Sequence, residues 1–308
     1  MKYQNTAILS LLLLLGLLFF VFFIRPMAHP ARTGDDGGSA ASSFQSTVEK
    51  PVNGKLKGVI EIGSTGFNSF VINVDSQKRW EMIAKDFGVS LVYEGLATPE
   101  AIRDGINKYI SSMFDNAVAR KDINIVLSSG AQKTPKAGEI MNTLQTMGYQ
   151  IVSISPNDEA RYGLMATIPP SMRVNSFFVD VGSGNTKLAW QEGDSIRSFE
   201  APGSKYFESG LTDTSAYNQI KKLASQIPAT HRNSAFIIGG APFMLAESVR
   251  KGQERYTVLK DPKSYQPKNK RMAAGINIYK AIADATLAKQ FVFDWDANFS
   301  VGYLLSTP

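Results

Sequence analysis

The sequence predicts an α/β protein of two lobes, each with a mixed sheet and flanking helices. Three observations predict it. One unit, an apolar strand ending in an acid, a glycine-rich turn and a second strand, occurs twice, at residues 58–74 and 176–190. Strand-like and helix-like apolar patterns alternate through the rest of the chain. The 308 residues, less a short N-terminal segment, leave about 250, which suits one large domain or two lobes of ordinary size.

The repeated unit carries the chemistry. In its first copy (GVIEIGSTGFNSFVINV) the acid is Glu61 and the turn spans residues 63–66. In its second (SFFVDVGSGNTKLAW) the acid is Asp180 and the turn spans residues 182–185. A glycine-rich turn that feeds a helix would read as a dinucleotide or P-loop motif. Here each turn feeds another strand, so a β-hairpin is expected. The glycines permit positive φ and close backbone approach, which lets successive N–H groups point at a phosphate. An acid at the strand end is placed to hold Mg²⁺ beside the phosphate oxygens. Two such hairpins, each opening its own lobe, predict a phosphate clamp.

The elements between them follow from local signals. Thr98-Pro99-Glu100 reads as an N-cap, a first-turn proline and a first-turn acid, with Ile102, Ile106, Tyr109, Ile110 and Met113 behind it at helical spacing. Residues 122–128 (DINIVLS) and 149–154 predict strands, and 137–147 a helix. The run SPNDEAR at 155–161 predicts a loop passing into a helix with acids in its first turn. Further on, 213–226 predicts a helix, and 235–241 a strand ending in Gly239-Gly240 before a helix over 244–249. The basic, polar stretch 251–271 predicts a solvated loop, 272–288 a long helix and 290–293 a last strand.

Composition removes several classes of chemistry. There is no cysteine, which excludes disulfides, thiolate metal sites and cysteine nucleophiles. The two histidines, His29 and His231, read as surface residues and cannot make a multi-histidine metal centre. A formal net charge of +6 favours anionic partners such as polyphosphate, nucleotides, nucleic acid or acidic lipid.

Residues 7–24 form an apolar run followed by Arg25 and Pro26, long enough to cross a hydrocarbon core of roughly 30 Å. Its length and the poor cleavage motif around residues 28–31 favour an uncleaved transmembrane anchor over a signal peptide. Lys2 on one side and Arg25 and Arg32 on the other leave the orientation open. The small, polar residues 33–54 predict a flexible tether. The expected organisation is an anchor at 1–25, a linker at 26–54, lobe I at 55–175 and lobe II at 176–308.

The motifs, taken together and in order, resemble those of the exopolyphosphatase and guanosine pentaphosphate phosphatase family. Residues 59–67 (VIEIGSTGF) are similar to its first phosphate motif, D-[LI]-G-S-N-S-F. Residues 154–161 (ISPNDEAR) resemble its I-S-G-x-E-E-A-R block, and 179–187 (VDVGSGNTK) its second phosphate motif, D-I-G-G-G-S-T-E. Ile238-Gly239-Gly240 resembles the turn lining the far side of the cleft, and residues 272–305 the closing helix, strand and G-x-L-L element. The resemblance implies the two-lobed actin-like ATPase (ribonuclease H-like) fold, here preceded by the transmembrane helix. It implies Mg²⁺-dependent release of the terminal phosphate of polyphosphate or guanosine pentaphosphate. Glu159 falls on the glutamate that activates water, and Glu61 and Asp180 on the metal-site acids. Gly63, Ser64, Thr65, Gly182, Ser183, Gly184, Asn185, Lys187, Gly239 and Gly240 fall on the phosphate cradle.

The chain also departs from the family pattern. Glu61 stands for an aspartate, Lys187 for a glutamate, Gln132 (with Lys133 beside it) for a phosphate-binding arginine, and Ser183 and Asn185 for Gly and Ser. Three readings therefore stay open: a hydrolase, a catalytically impaired phosphate or nucleotide sensor using the same cleft, and an actin-like assembly protein. The partners expected are polyphosphate or a guanosine polyphosphate, the membrane through residues 7–24 and, as an option, a second copy of the chain; no specific nucleic acid is expected. The expected location is a bacterial inner membrane, single-pass.

Overall fold

A computed structural model describes residue 44 and residues 48–63, 66–87, 98–134 and 137–308. The membrane localisation expected from residues 7–24 is withdrawn. No helix among the described residues is long and apolar enough to cross a membrane, and residues 7–24 themselves lie outside the described residues.

Two mixed sheets form the frame. The first holds β1 (Lys55–Gly63), β2 (Gly66–Val74), β3 (Trp80–Phe87), β4 (Ile123–Leu127) and β5 (Ile151–Ser153), in the order β3-β2-β1-β4-β5. The second holds β6 (Ser176–Val181), β7 (Asn185–Glu192), β8 (Ser195–Pro202), β9 (Ser234–Ile238), β10 (Tyr256–Val258) and β11 (Phe291–Asp294), in the order β10-β11-β9-β6-β7-β8. In each, a three-stranded antiparallel meander runs into two parallel strands. Apart from the added edge strand β10, one topology is used twice, as the sequence repeat requires.

The central strands β1 and β6 are buried almost throughout because helices cover both faces. Period-two alternation divides each of them. Ile60 and Ile62 face helix α1 (Pro99–Asp115) and pack with Ile102, Ile106 and Met113. Val59 faces the other way, towards helix α8 (Phe299–Ser306) and Val301, Leu304 and Leu305. Helix α1 buries the five residues that its periodicity picks out, and the Thr98 hydroxyl caps it by accepting from Ala101 N. On the outer face of the second sheet, α5 (Asp213–Ala224) and α7 (Lys270–Thr286) pack with Phe177, Val179 and Ile237.

Between the sheets lies helix α4 (Pro156–Thr167), whose Ala160 and Leu164 pack on Phe178 and Phe236 of the second sheet. Its other side meets α8. Residues 299–305, expected in the second lobe, belong instead to the core of the first sheet, with Val59 and Phe70. The crossing of α4 and α8 is close: a Cβ on Gly302 would sit 1.9 Å from Tyr162 O. Gly302→Ala gains about 1 kcal/mol of helix propensity, yet must push two backbones apart, which costs about 1–3 kcal/mol or more. Denaturant unfolding of this variant is expected to show a net loss of stability.

Candidate functional site

A cleft of about 660 Å³ opens between the sheets, at the ends of β1, β6 and β9. Ligands of open α/β sheets bind outside the carboxyl ends of the strands. The turns collect there because β1 and β6 are central and their hairpins begin where the strands stop. Gly63, Gly182, Ser183, Gly184, Asn185, Lys187, Gly239 and Gly240 all line the cleft, as do Glu61 and Asp180. Ser64 and Thr65 lie outside the described residues.

Two glycines are required by close approach. Gly239 has φ of +109°, and a Cβ there would fall 2.3 Å from Val181 O. A Cβ on Gly182 would fall 2.7 Å from Asn185 O, so the second hairpin closes tightly only without a side chain. On the far wall, Arg271 Nη2 donates to Ser183 Oγ at 2.8 Å.

Glu159 does not line the cleft. It lies beneath the floor with 1% of its surface exposed, one turn into α4, whose N-terminus Ser155 caps. One carboxylate oxygen accepts from Ser129 N at 2.5 Å, and the other from Ser129 Oγ at 2.8 Å. The Lys187 ammonium also pairs with it, and stands 3.7 Å from Asp180. The Ser129 hydroxyl accepts in turn from Asn185 Nδ2 at 3.1 Å, and Asn185 donates to Glu200 at 2.9 Å. Lys133 closes the chain on Glu200 at 2.5 Å. The links among Glu159, Ser129 and Asn185 are buried and partnered, which fixes their geometry, and the chain reaches solvent at Glu200 and Lys133.

Gln132 plays no part in it. Its Nε2 donates to Ile154 O at 2.9 Å and to Leu127 O at 3.3 Å, which ties the ends of β4 and β5 together. Sequence reasoning missed Asn68, Ser129 and Arg271. Asn68 had a signal: it follows Glu61 by the seven residues that separate Lys187 from Asp180, and both pairs face each other across their hairpins. Ser129 and Arg271 had none, because only the fold brings them to the site.

Burial pushes the Glu61 carboxyl up to about 7, helped by the negative charge of Glu159 and opposed by the hydrogen bond from Asn68. Asp180 is pushed up to about 6, again by burial first, with Lys187 opposing and Glu159 adding. Burial pulls the Lys187 ammonium down, but Asp180 and Glu159 outweigh it and hold it above its usual value. Glu61 in the folded protein thus keeps its proton to a higher pH than in the unfolded chain. Its contribution to stability is complete below about pH 4.5 and is lost as pH rises through about 7, an effect of about 3 kcal/mol. Unfolding followed from pH 4 to 8 without divalent ions is expected to show Glu61→Gln gaining on wild type as pH rises.

The residues present do not fit Mg²⁺. A hard divalent ion asks for several oxygens with free lone pairs. Of the two acids assigned to the metal, Asp180 has the Lys187 ammonium 3.7 Å away, and Glu61 accepts from Ser300 Oγ at 3.2 Å. Among the described residues no group of three or more His, Cys, Asp or Glu is placed to hold a metal ion.

No protein-family profile matches the sequence, and no curated protein does. Solved structures match in fold. An Aquifex aeolicus Ppx/GppA family member superposes with a TM-score of 0.61 at 16% identity, over 82% of this chain and 97% of that one. A second Aquifex aeolicus structure, the PPX-GPPA enzyme, gives 0.63 at 16% identity, over 82% and 100%. An exopolyphosphatase from Cytophaga hutchinsonii gives 0.60 at 14% identity, over 81% and 96%. The chain therefore has the mixed α/β, two-sheet fold of these proteins.

Proposed function

We propose that this protein hydrolyses phosphoanhydrides, releasing the terminal phosphate of polyphosphate or of guanosine pentaphosphate. One observation carries the reading: two glycine-rich hairpins and the Gly239-Gly240 turn converge on a single cleft, with Glu159 directly beneath it. The exopolyphosphatase from Cytophaga hutchinsonii, alike in fold, supports it. Turnover adds water to the terminal phosphorus and breaks its bridging P–O bond. The bridging oxygen leaves with the shortened chain, and the water proton goes to a carboxylate. Glu159 is the carboxylate assigned that role, in a site where catalysis rests on positioning and charge. Lys187 and Arg271 supply the positive charge at the phosphate oxygens.

The ion pair between Lys187 and Glu159 favours a second reading, a phosphate-chain binding protein without turnover. Ser129 and Lys187 together take three of the roughly four acceptor positions of the Glu159 carboxylate, which leaves about one for water. Orthophosphate release from polyphosphate and from guanosine pentaphosphate by the full-length protein decides between them. Release from either substrate, abolished in Glu159→Gln, is the expected result. Saturable binding of either without release would leave the second reading.

A further inference from the structure

The cleft has carboxylates of the kind that hold metals, yet an ammonium stands among them. Asp180 and Lys187 are opposite each other across β6 and β7, where Glu61 and Asn68 are opposite across β1 and β2. Directly opposite residues share a face of the hairpin, and all four line the same cleft. Lys187 lines it with only 6% of its side chain exposed, so its charge is fixed in place rather than solvated. Its ammonium pairs with Glu159, the acid assigned to water, and lies 3.7 Å from Asp180, one of the two acids that a divalent ion would need. An ion of like charge entering there would meet the ammonium at contact distance, in a setting where water screens little.

We propose that the Lys187 ammonium is the resident cation of this cleft, in the place of a divalent metal, and that phosphate chains bind there without metal. The phosphate half of this rests on the phosphoanhydride reading; the exclusion of metal does not. A lysine ammonium carries three donors. Glu159 takes one and Asp180 lies near a second, which leaves the third for a phosphate oxygen. Arg271, bonded to Ser183 on the far wall, adds a second fixed cation, and a guanidinium suits phosphate geometry. The chain thus carries both positive charges that a phosphoanhydride asks of its site.

Two measurements on the full-length protein test this. Mn²⁺ serves as the probe for a divalent site, read by its paramagnetic signal. Wild type is expected to take up no Mn²⁺ at the cleft; stoichiometric uptake that Asp180→Asn abolishes would overturn the proposal. The second is calorimetric titration with tripolyphosphate, in chelator and in excess Mg²⁺. The two dissociation constants are expected to agree within about twofold, and loss of about tenfold or more in chelator would overturn the proposal. Lys187→Gln is expected to lower affinity in chelator by about tenfold and to regain part of it with Mg²⁺. The wild-type comparison stands even if that variant folds poorly. Absence of tripolyphosphate binding in both buffers would defeat the phosphoanhydride reading and the phosphate half of this proposal, whereas Mn²⁺ uptake defeats the resident cation alone.

Discussion

Glu159→Gln is expected to lower phosphate release from polyphosphate about a thousandfold while polyphosphate binding stays within a few-fold of wild type. Glutamine keeps the shape, but its single oxygen accepts from only one of the two Ser129 donors and it takes no proton from water. The change also leaves Lys187 paired with Asp180 alone, at 3.7 Å. Breaking a buried pair by removing one partner costs about 3–5 kcal/mol, so the folded fraction must be measured beside the rate. A loss confined to kcat, in protein shown to be folded, marks an interaction made in the transition state. A rise in KM with kcat unchanged would place Glu159 in ground-state binding only.

Arg255→Met is expected to have the largest effect on stability, a loss of about 3–5 kcal/mol. Arg255 donates through Nε and Nη2 to Asp294, at 3.1 and 3.0 Å, and through Nη2 to Ala166 O at 3.2 Å. Its guanidinium lies 4.3 Å from the centre of the Trp80 ring. One side chain thereby joins β11, α4 and the edge strand β3, and so bridges the two sheets. Asp294 has no exposed side-chain surface, so the variant strands a buried carboxylate. Arg255→Met with Asp294→Leu is expected to be more stable than Arg255→Met alone, because an apolar pair strands no charge. Denaturant melts of wild type, Arg255→Met, Asp294→Leu and the double variant give the coupling directly.

Much of the fold could be read in the sequence where local rules and tertiary packing agree. The hairpins after Glu61 and Asp180 form as expected, since glycine spacing and β-branched runs act over a few residues. Helix α1 buries the residues its periodicity selects, under the cap formed by Thr98. Legibility fails where distant residues decide. The stretch 251–271 looks solvated by composition, yet it contains Arg255, held by a carboxylate 39 residues on, and Arg271 on the cleft wall. The strand β3 was hidden because an edge strand with mixed charges lacks an apolar run. The last helix looked like part of the second lobe, and only its contacts with Val59 and Phe70 place it on the first sheet.

The site shows the same division. Gly182 was legible as a turn residue because its own hairpin closes only without a side chain, whereas the need for Gly239 comes from Val181 O on the neighbouring strand. The meaning of Lys187 was not legible. Within the sequence it is a charge reversed relative to a related motif; in the fold it is the cation that Glu159 and Asp180 share. Gln132 illustrates the converse. It aligned with a ligand-binding position, and the fold turns it towards the backbone of Leu127 and Ile154.

The central claim is that the cleft between the hairpins holds a phosphate chain, and amide hydrogen exchange tests it most directly. The full-length protein would be compared with and without polyphosphate. Slowed exchange concentrated in residues 182–187 and 238–240 is the predicted result. Saturable binding that leaves these amides unchanged and protects another surface would contradict it.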